Sequence, residues 1–228
     1  MKRSQINELL RESEAFCRAQ QFPLPRWAHW TPDEWRRQTA DLSEIIDHKL
    51  GWDITDFGQG DFNRLGLILF TIRNGDPTGL DKEKVYAEKL LIVDPGQKTP
   101  LHFHWQKTED IINRGGGELV VELYHSTPDG ELDTSEIAVR LDGILRYVPA
   151  GGQCVLRPGD SITLVPGLYH AFWGAGSRVL VGEVSSVNND ATDNRFYEAV
   201  GRFPEIDEDE PPYRLLVSDY AHQLDLEE

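Results

Sequence analysis

The chain has 228 residues and a formal net charge of −16 at pH 7, which is enough for one domain with a sizeable core. Nucleic acids and anionic membrane surfaces bind cationic patches, so this acidic excess argues against both as partners and favours an uncharged small molecule as ligand. Only two cysteines, Cys17 and Cys154, are present, so neither a disulfide framework nor a thiolate metal site is expected.

The N-terminal part of the chain has the pattern of amphipathic helices. Apolar residues recur at helical spacing over residues 4–20, which predicts a surface helix. Thr31 supplies an N-cap, Pro32 a first helical residue and Glu34 the third position of a capping box, so a second helix is predicted to start there. A third helix is predicted over residues 41–49. The first sixty residues are therefore expected to be mainly helical.

From Leu65 onward, short runs of branched and aromatic residues alternate with turn residues, which predicts an antiparallel sheet. Gly115 to Gly117 lie between two of these runs and are interpreted as a hairpin turn. The stretch Ser126 to Gly152 is predicted to form a protruding hairpin or loop, and a C-terminal helix is predicted near 215–223. Ten strands are predicted, over residues 65–73, 84–93, 100–105, 109–113, 118–125, 136–141, 154–157, 161–165, 169–173 and 178–185.

These elements are expected to form a single domain over residues 1–228. It divides into a helical N-terminal segment (1–60), a barrel core (61–190) and a C-terminal extension (191–228). The N-terminus has no apolar stretch of signal-peptide length, and the longest apolar runs have the length of strands. The protein is therefore expected to be soluble and cytoplasmic, without membrane association.

A histidine-rich motif is the most informative feature of the chain. His102, His104 and Glu109 have the spacing HxHx4E, and His170 follows in a later segment. Residues i and i+2 of a strand project from the same face, so both imidazoles of the first motif can point inward, and Glu109 can approach them after a bend. Three imidazole nitrogens and one carboxylate suit a divalent transition metal. The competing interpretation is that these are ordinary strand histidines bonded to their neighbours.

Flanking glycines favour the metal site. Gly96 and Gly116 bracket the first motif, and Gly159 and Gly167 precede His170. Both segments resemble the two motifs of the cupin superfamily, in which glycines form turns between barrel strands. The resemblance implies a mainly β fold, a cupin jelly-roll β-barrel with an N-terminal helical segment.

A more specific resemblance extends over nearly the whole chain. The segments FPLPRWAHWTPDEW, KTPLHFHWQKTEDIINRGGGELVVELY and PGLYHAFWG resemble those of the D-lyxose ketol-isomerases. The resemblance implies a manganese-dependent aldose–ketose isomerase that converts D-lyxose to D-xylulose and D-mannose to D-fructose. It also implies a homodimer whose partner molecule is a small sugar.

The resemblance further implies roles for individual residues. His102, His104, Glu109 and His170 would bind the metal, and Lys107 and Glu205 would act as the catalytic acid/base pair. From the sequence pattern alone, Lys107 could equally be an exposed turn lysine. Glu205 follows Phe203 and Pro204 within an acidic stretch. If Glu205 is not the base, Glu183 and Asp193 are the alternatives.

Two mechanisms and two rival functions stay open at this point. The sugar hydrogen could move by proton transfer through an enediol, with a protein base, or by a metal-assisted hydride shift that needs none. The rival functions are a mononuclear iron dioxygenase, whose ligand set is similar, and a non-catalytic cupin that binds sugar or metal.

Overall fold

The computed structural model describes residues 1–201 and 205–224, and it confirms the mainly antiparallel β fold with helices at the N-terminal end. The predicted capping box is present, because the Thr31 hydroxyl accepts a bond from the Glu34 amide at 3.2 Å. Within the two described stretches, no helix is long and apolar enough to cross a membrane. The helices are α1 (Arg3–Ala19), α2 (Pro32–Arg36), α3 (Ser43–Asp47) and α4 (Tyr220–Gln223), with 3₁₀ turns at Arg26–His29 and Val217–Asp219.

Within residues 1–201 and 205–224, twelve strands form one sheet that folds over on itself. The hydrogen-bonded order is β1-β2-β3-β11-β5-β10-β7-β8, while β6 and β9 also pair with β5, and β4 pairs with β11 and β12. The strands are β1 (Gly51–Thr55), β2 (Leu67–Arg73), β3 (Tyr86–Val93), β4 (His102–His104), β5 (Glu109–Ser126), β6 (Leu132–Asp133), β7 (Ile137–Leu141), β8 (Ile144–Val148), β9 (Gly152–Leu156), β10 (Ser161–Leu164), β11 (Leu168–Ser186) and β12 (Asn194–Phe196).

Strands β5 and β11 form the centre of this sheet. They pair antiparallel from Leu168 opposite His125 to Ser185 opposite Glu109. The first half of β5 also pairs with β10 and the second half with β9. The two long strands therefore run through both layers of the sandwich, and a large hydrophobic core fills the space between the layers.

Side chains alternate between the two faces of β1, β2 and β3, and each face borders a different hydrophobic core. Ile54, Ile68 and Ile92 face outward and pack against Ile6 and Leu10 of α1. Their sequence neighbours face inward, because successive strand side chains point to opposite faces. Helix α1 therefore covers the outer face of this sheet, and strands β1 and β2 are buried on both faces.

The C-terminal segment after residue 204 runs along the start of α1. The Arg3 guanidinium is buried and forms ion pairs with Glu208 at 2.6 Å and Asp219 at 2.9 Å. The backbone oxygen of Glu205 accepts a bond from the amino group of Met1 at 2.6 Å. Glu205 is therefore held at the protein surface, where its side chain is exposed.

The interpretation of Gly115 to Gly117 as a hairpin turn is wrong. These glycines lie within the continuous strand β5, at a register shift in its pairing with β11. The predicted strands 109–113 and 118–125 are accordingly one strand, and so are 169–173 and 178–185. A run of glycines permits a bulge as readily as a turn, and the partner strand decides between them.

Two further differences concern the ends of the predicted barrel. Strand β1 lies in the segment predicted to be helical, and it pairs with β2 from Gly51 to Thr55. Strand β12 lies in the predicted C-terminal extension and pairs with β4. The protruding hairpin between Ser126 and Gly152 is present as β7 and β8.

The bulge in β5 predicts a stability difference between two glycine substitutions. Gly116 has φ +92°, and a Cβ there would collide with the Arg178 carbonyl oxygen, whereas Gly143 has φ +76° with open space around it. Gly143→Ala should cost about 1 kcal/mol through backbone strain alone. Gly116→Ala should cost roughly 3 kcal/mol or more, because steric overlap is added. Urea unfolding of both variants measures the difference, and equal losses would contradict the bulge geometry.

Candidate metal centre

Strand β4 positions the first two histidines. His102 and His104 point to one side, while Phe103 between them is buried on the other side against Trp105 and Tyr169, at centroid distances of 4.7 and 4.8 Å. This is the alternation that the HxH spacing predicts. Packing of Phe103 thereby fixes the direction of both imidazoles.

His170 joins them from the neighbouring strand. It lies on β11 directly opposite His102 in the register, and the centroids of these two rings are 4.2 Å apart. One ligand atom from each of His102, His104 and His170 lies within 4.8 Å of the others. The structure thus brings together three histidines from two sequence motifs, in a cluster that could hold a metal ion.

Backbone carbonyls fix the tautomers of two of these rings. The Nδ1 atom of His102 lies 2.9 Å from the Pro100 oxygen, and that of His170 lies 3.0 Å from the Leu168 oxygen. A carbonyl only accepts hydrogen bonds, so each Nδ1 carries a hydrogen and each Nε2 presents its lone pair. Metal-binding histidines are commonly held in this way.

Burial keeps two of the histidines neutral. It holds the pKa of His102 well below its usual value and also lowers the pKa of His104. A neutral imidazole is the form that binds a metal, because the ligand nitrogen must be free of its proton.

Glu109 stands against this cluster at the start of β5. Its Oε1 atom lies 3.0 Å from His170 Nε2 and 3.4 Å from His104 Nε2. In the neutral ring with the tautomer that its carbonyl contact fixes, His170 Nε2 turns a lone pair toward a carboxylate oxygen. Two acceptors at this distance are favourable only with a positive charge between them, so the donor set fits a bound cation.

Lys107 is buried beside Glu109, so it is not an exposed turn lysine. Its Nζ atom lies 2.7 Å from Glu109 Oε2, 2.8 Å from Glu183 Oε1 and 3.4 Å from Asn188 Oδ1. Burial by itself lowers the pKa of Lys107, but the charges of Glu109 and Glu183 outweigh it and raise the pKa above its usual value. Lys107 is therefore an ammonium ion with three acceptors for its three hydrogens.

The alternatives named from the sequence occupy different positions. Glu183 is buried on β11 and contacts both Lys107 and the Lys89 ammonium, which lies 3.6 Å from Glu183 Oε1. Asp193 accepts bonds from the backbone amides of Gln106 and Lys107 at 2.8 and 3.0 Å, so it holds the loop after β4. Glu205 is on the surface beside the N-terminus.

The three histidines line one cavity of about 140 Å³ together with Glu109, Lys107, Glu183 and Lys89, whereas Asp193 and Glu205 do not line it. Its apolar wall includes Phe57, Leu67, Phe172, Phe196 and Val200. Apart from the histidines, its ionisable lining residues among the described parts of the chain are Asp53, Lys89, Lys107, Glu109, Glu183 and Asp190. Four carboxylates and two ammonium groups leave a formal excess of two negative charges, equal and opposite to the charge of a divalent cation.

Sequence reasoning did not identify several lining residues. Asp53 lies on β1 and Asn194 on β12, two strands that were not predicted, and Lys89 lies on β3 opposite Glu183. A charged residue inside the apolar run of β3 was the available signal for Lys89, because a lysine flanked by buried strand residues needs a partner. The sequence offered no comparable signal for Asn194.

Comparison with known proteins agrees with this arrangement. A family model described as D-lyxose isomerase matches residues 1–220. The chain belongs to the D-lyxose isomerase family. D-lyxose/D-mannose isomerases from Serratia proteamaculans and Escherichia coli O157:H7 are each 48% identical to it over 224 residues, covering 96% of this chain and 98% of theirs.

Solved structures of lower sequence identity show the same fold. The L-ribose isomerase of Cellulomonas parahominis without ligand superposes with a TM-score of 0.58 at 19% identity, covering 91% of this chain and 98% of its own. The L-ribose isomerase of Geodermatophilus obscurus gives a TM-score of 0.56 at 19% identity, over 90% and 98% of the two chains. Membership in the D-lyxose isomerase family makes the chain a sugar isomerase, as the resemblance of its three segments predicted.

The buried ion pairs of Lys107 predict a large effect on folding of this D-lyxose isomerase family member. Lys107→Met should reduce the stability of the chelator-treated protein by roughly 3–5 kcal/mol, because Glu109 and Glu183 lose their buried counter-charge. Lys84→Met is the matched control. Lys84 pairs with the exposed Glu44, so its loss should cost about 1 kcal/mol or less. Urea unfolding tests both, and a small loss for Lys107→Met would contradict the described ion pairs.

Proposed function

We propose that the protein is a divalent-metal-dependent aldose–ketose isomerase that interconverts D-lyxose with D-xylulose and D-mannose with D-fructose. The observation that carries the proposal is the cavity itself, where a three-histidine cluster and Glu109 adjoin the buried Lys107–Glu183 pair. The 48% identity to proteins named D-lyxose/D-mannose isomerase supports the choice of sugars. Manganese as the metal rests on the resemblance of the three sequence segments.

His102, His104, Glu109 and His170 would hold the ion. Their donor set of three neutral imidazoles and one carboxylate suits a divalent transition metal. When bound, such an ion acts as a Lewis acid that polarises the sugar carbonyl and stabilises the negative charge that develops on oxygen. Carbonyl contacts of His102 and His170 direct both Nε2 atoms toward this position.

Glu183 is the residue best suited to move the carbon-bound proton. It lines the cavity, whereas Glu205 is exposed and does not. Lys107, Lys89 and Ser185 all contact the same carboxylate oxygen, Oε1. The other oxygen, Oε2, is then the one that would take the proton from C2 of the open-chain aldose and return it to C1. To balance the reaction, the hydroxyl proton of O2 would also pass to O1, so that the net change is a 1,2-proton shift through an enediol.

Lys107 would support this step as a cation rather than as a base. Its three hydrogens already bond to Glu109, Glu183 and Asn188, which favours the ammonium form. In that form it orients Glu183 through their hydrogen bond, and it would contribute positive charge close to the developing enediolate. Its part in catalysis would be electrostatic.

A homodimer in the cytoplasm completes the proposal. The resemblance to the D-lyxose ketol-isomerases supports the dimer, which sedimentation equilibrium would detect as a mass near twice the 25.9 kDa of the chain. A monomeric mass would overturn that part of the proposal without affecting the chemistry.

The first test is sugar isomerisation without oxygen. Chelator-stripped protein should be inactive and should regain activity with Mn²⁺, forming ketose from D-lyxose and D-mannose under anaerobic conditions.

His170→Ala should bind the metal more weakly and lose more than about 100-fold in activity, since it removes a ligand. His222→Ala is the control, because His222 is exposed on α4. Dependence on oxygen and Fe²⁺ would instead favour the dioxygenase, and metal binding without turnover would favour a binding protein.

The second test separates the two candidate glutamates. Glu183→Gln should lower kcat by about 10²–10⁴-fold, the usual contribution of a general base, with metal content unchanged. Glu205→Gln should leave kcat close to that of the wild type. The reverse pattern would restore Glu205 as the base.

Solvent exchange adds a second readout for the same pair of variants. In D₂O, the wild-type protein should introduce deuterium at C1 of the ketose, because a proton held by Glu183 can exchange before it returns. A hydride shift would retain protium at C1 and would leave Glu183→Gln with only a modest loss of turnover. Mass spectrometry of the ketose measures the incorporation.

A further inference from the structure

Strand β12 forms a wall beside the histidine cluster. It pairs antiparallel with β4, and its register places Asn194 opposite His104 and Phe196 opposite His102. Directly opposed residues of such a pair project from the same face of the sheet. The Phe196 ring accordingly lies 5.5 Å from the His102 ring, and both β12 residues line the cavity.

His104 differs from the other two histidines in one respect. The Nδ1 atoms of His102 and His170 bond to backbone carbonyls, whereas His104 Nδ1 is buried and has no hydrogen-bond partner among the described residues. The other ring nitrogen of His104 faces Glu109. If that Nε2 atom holds a metal, Nδ1 carries a hydrogen and needs an acceptor.

Asn194 presents the complementary group. Its Oδ1 atom is buried and likewise lacks a hydrogen-bond partner within residues 1–201 and 205–224. Its Nδ2 atom lies 3.5 Å from the Asp190 backbone oxygen. Since a carbonyl accepts only, this contact orients the amide so that nitrogen faces Asp190 and oxygen faces away. Asn194, whose Oδ1 acceptor lacks a donor, is therefore directly opposite His104, whose Nδ1 lacks an acceptor.

We propose that Asn194 is a positioning residue for the metal centre, whose side-chain oxygen accepts the hydrogen of His104 Nδ1 when Nε2 of that ring binds the ion. This inference rests on the metal site of the proposed function. A hydrogen bond between them would satisfy two groups that are otherwise costly to bury. Asn194 would then fix the tautomer of His104, as the Pro100 and Leu168 carbonyls fix the tautomers of His102 and His170.

The test measures binding of Mn²⁺ to chelator-stripped protein by calorimetry. Asn194→Ala should weaken binding about tenfold or more, which is the usual effect of removing an outer partner of a metal-binding histidine. Asn194→Asp should restore most of the affinity, because a carboxylate oxygen also accepts from Nδ1. Asn189→Ala is the matched control: it is the same change in the same segment, but its side chain bonds to the Pro77 oxygen at 2.9 Å.

A second measurement separates positioning from a general structural role. Asn194 Oδ1 has no partner among the described residues, and Nδ2 makes only a long contact of 3.5 Å with the Asp190 oxygen. Asn194→Ala should therefore lower the melting temperature of the stripped protein only slightly while reducing the increase that Mn²⁺ produces. A large drop in the melting temperature of the stripped variant would indicate a structural role and overturn the proposal. Loss of affinity in Asn189→Ala as well would also overturn it.

Two further outcomes separate failure of the Asn194 role from failure of the proposed metal site. Unchanged Mn²⁺ affinity in Asn194→Ala together with a raised KM for D-lyxose would overturn the positioning role and assign Asn194 to a sugar hydroxyl. Failure of the wild-type protein to bind Mn²⁺, or any other divalent transition metal, would instead refute the metal site of the proposed function, and the role of Asn194 with it.

Discussion

The antiparallel pairing of β5 with β11 is the constraint on which the rest of the structure depends. It sets Glu109 opposite Ser185, so that the carboxylate of the first motif lies near Glu183 at the far end of β11. The same strand carries His170 at its other end, opposite β4 and His102. One pair of long strands thus brings a candidate metal-binding cluster and a buried acid/base candidate into a single cavity. A shift of β11 by one residue against β5 would turn His170 and Glu183 away from that cavity.

Electrostatics explains why the cavity holds so many charges. Lys107 and Lys89 alternate with Glu109, Glu183 and Asp190, and each ammonium contacts at least two carboxylates. Isolated charges at this depth would be costly, whereas a paired and hydrogen-bonded network is tolerated. Its formal excess of two negative charges makes the pocket a favourable place for a divalent cation. Burial by itself raises the pKa of Glu109, but the neighbouring Lys107 and His104 outweigh it and hold the pKa of Glu109 well below its usual value.

The sequence predicted the parts of the site that depend on local spacing. His102 and His104 share a face because they are two residues apart on a strand, and Gly96 marks a turn before them, whereas Gly116 lies within β5. Residues supplied by distant pairing were not predictable in this way. Asn194 belongs to a strand of three residues that exists only because β4 is beside it. Glu205 was selected from its local context, and only the packing of the C-terminal segment along α1 shows that it is on the surface.

The cavity is built from two kinds of segment, and the division has an evolutionary consequence. The end that carries the histidine cluster comes from β4, β5 and β11, whose side chains are fixed by strand pairing. Its outer wall includes Phe57, after β1, and Val200, after β12. Connecting segments tolerate substitution and changes in length better than central strands do. Substitutions in these connecting segments would therefore reshape one wall of the cavity while leaving the three histidines and Glu109 in place.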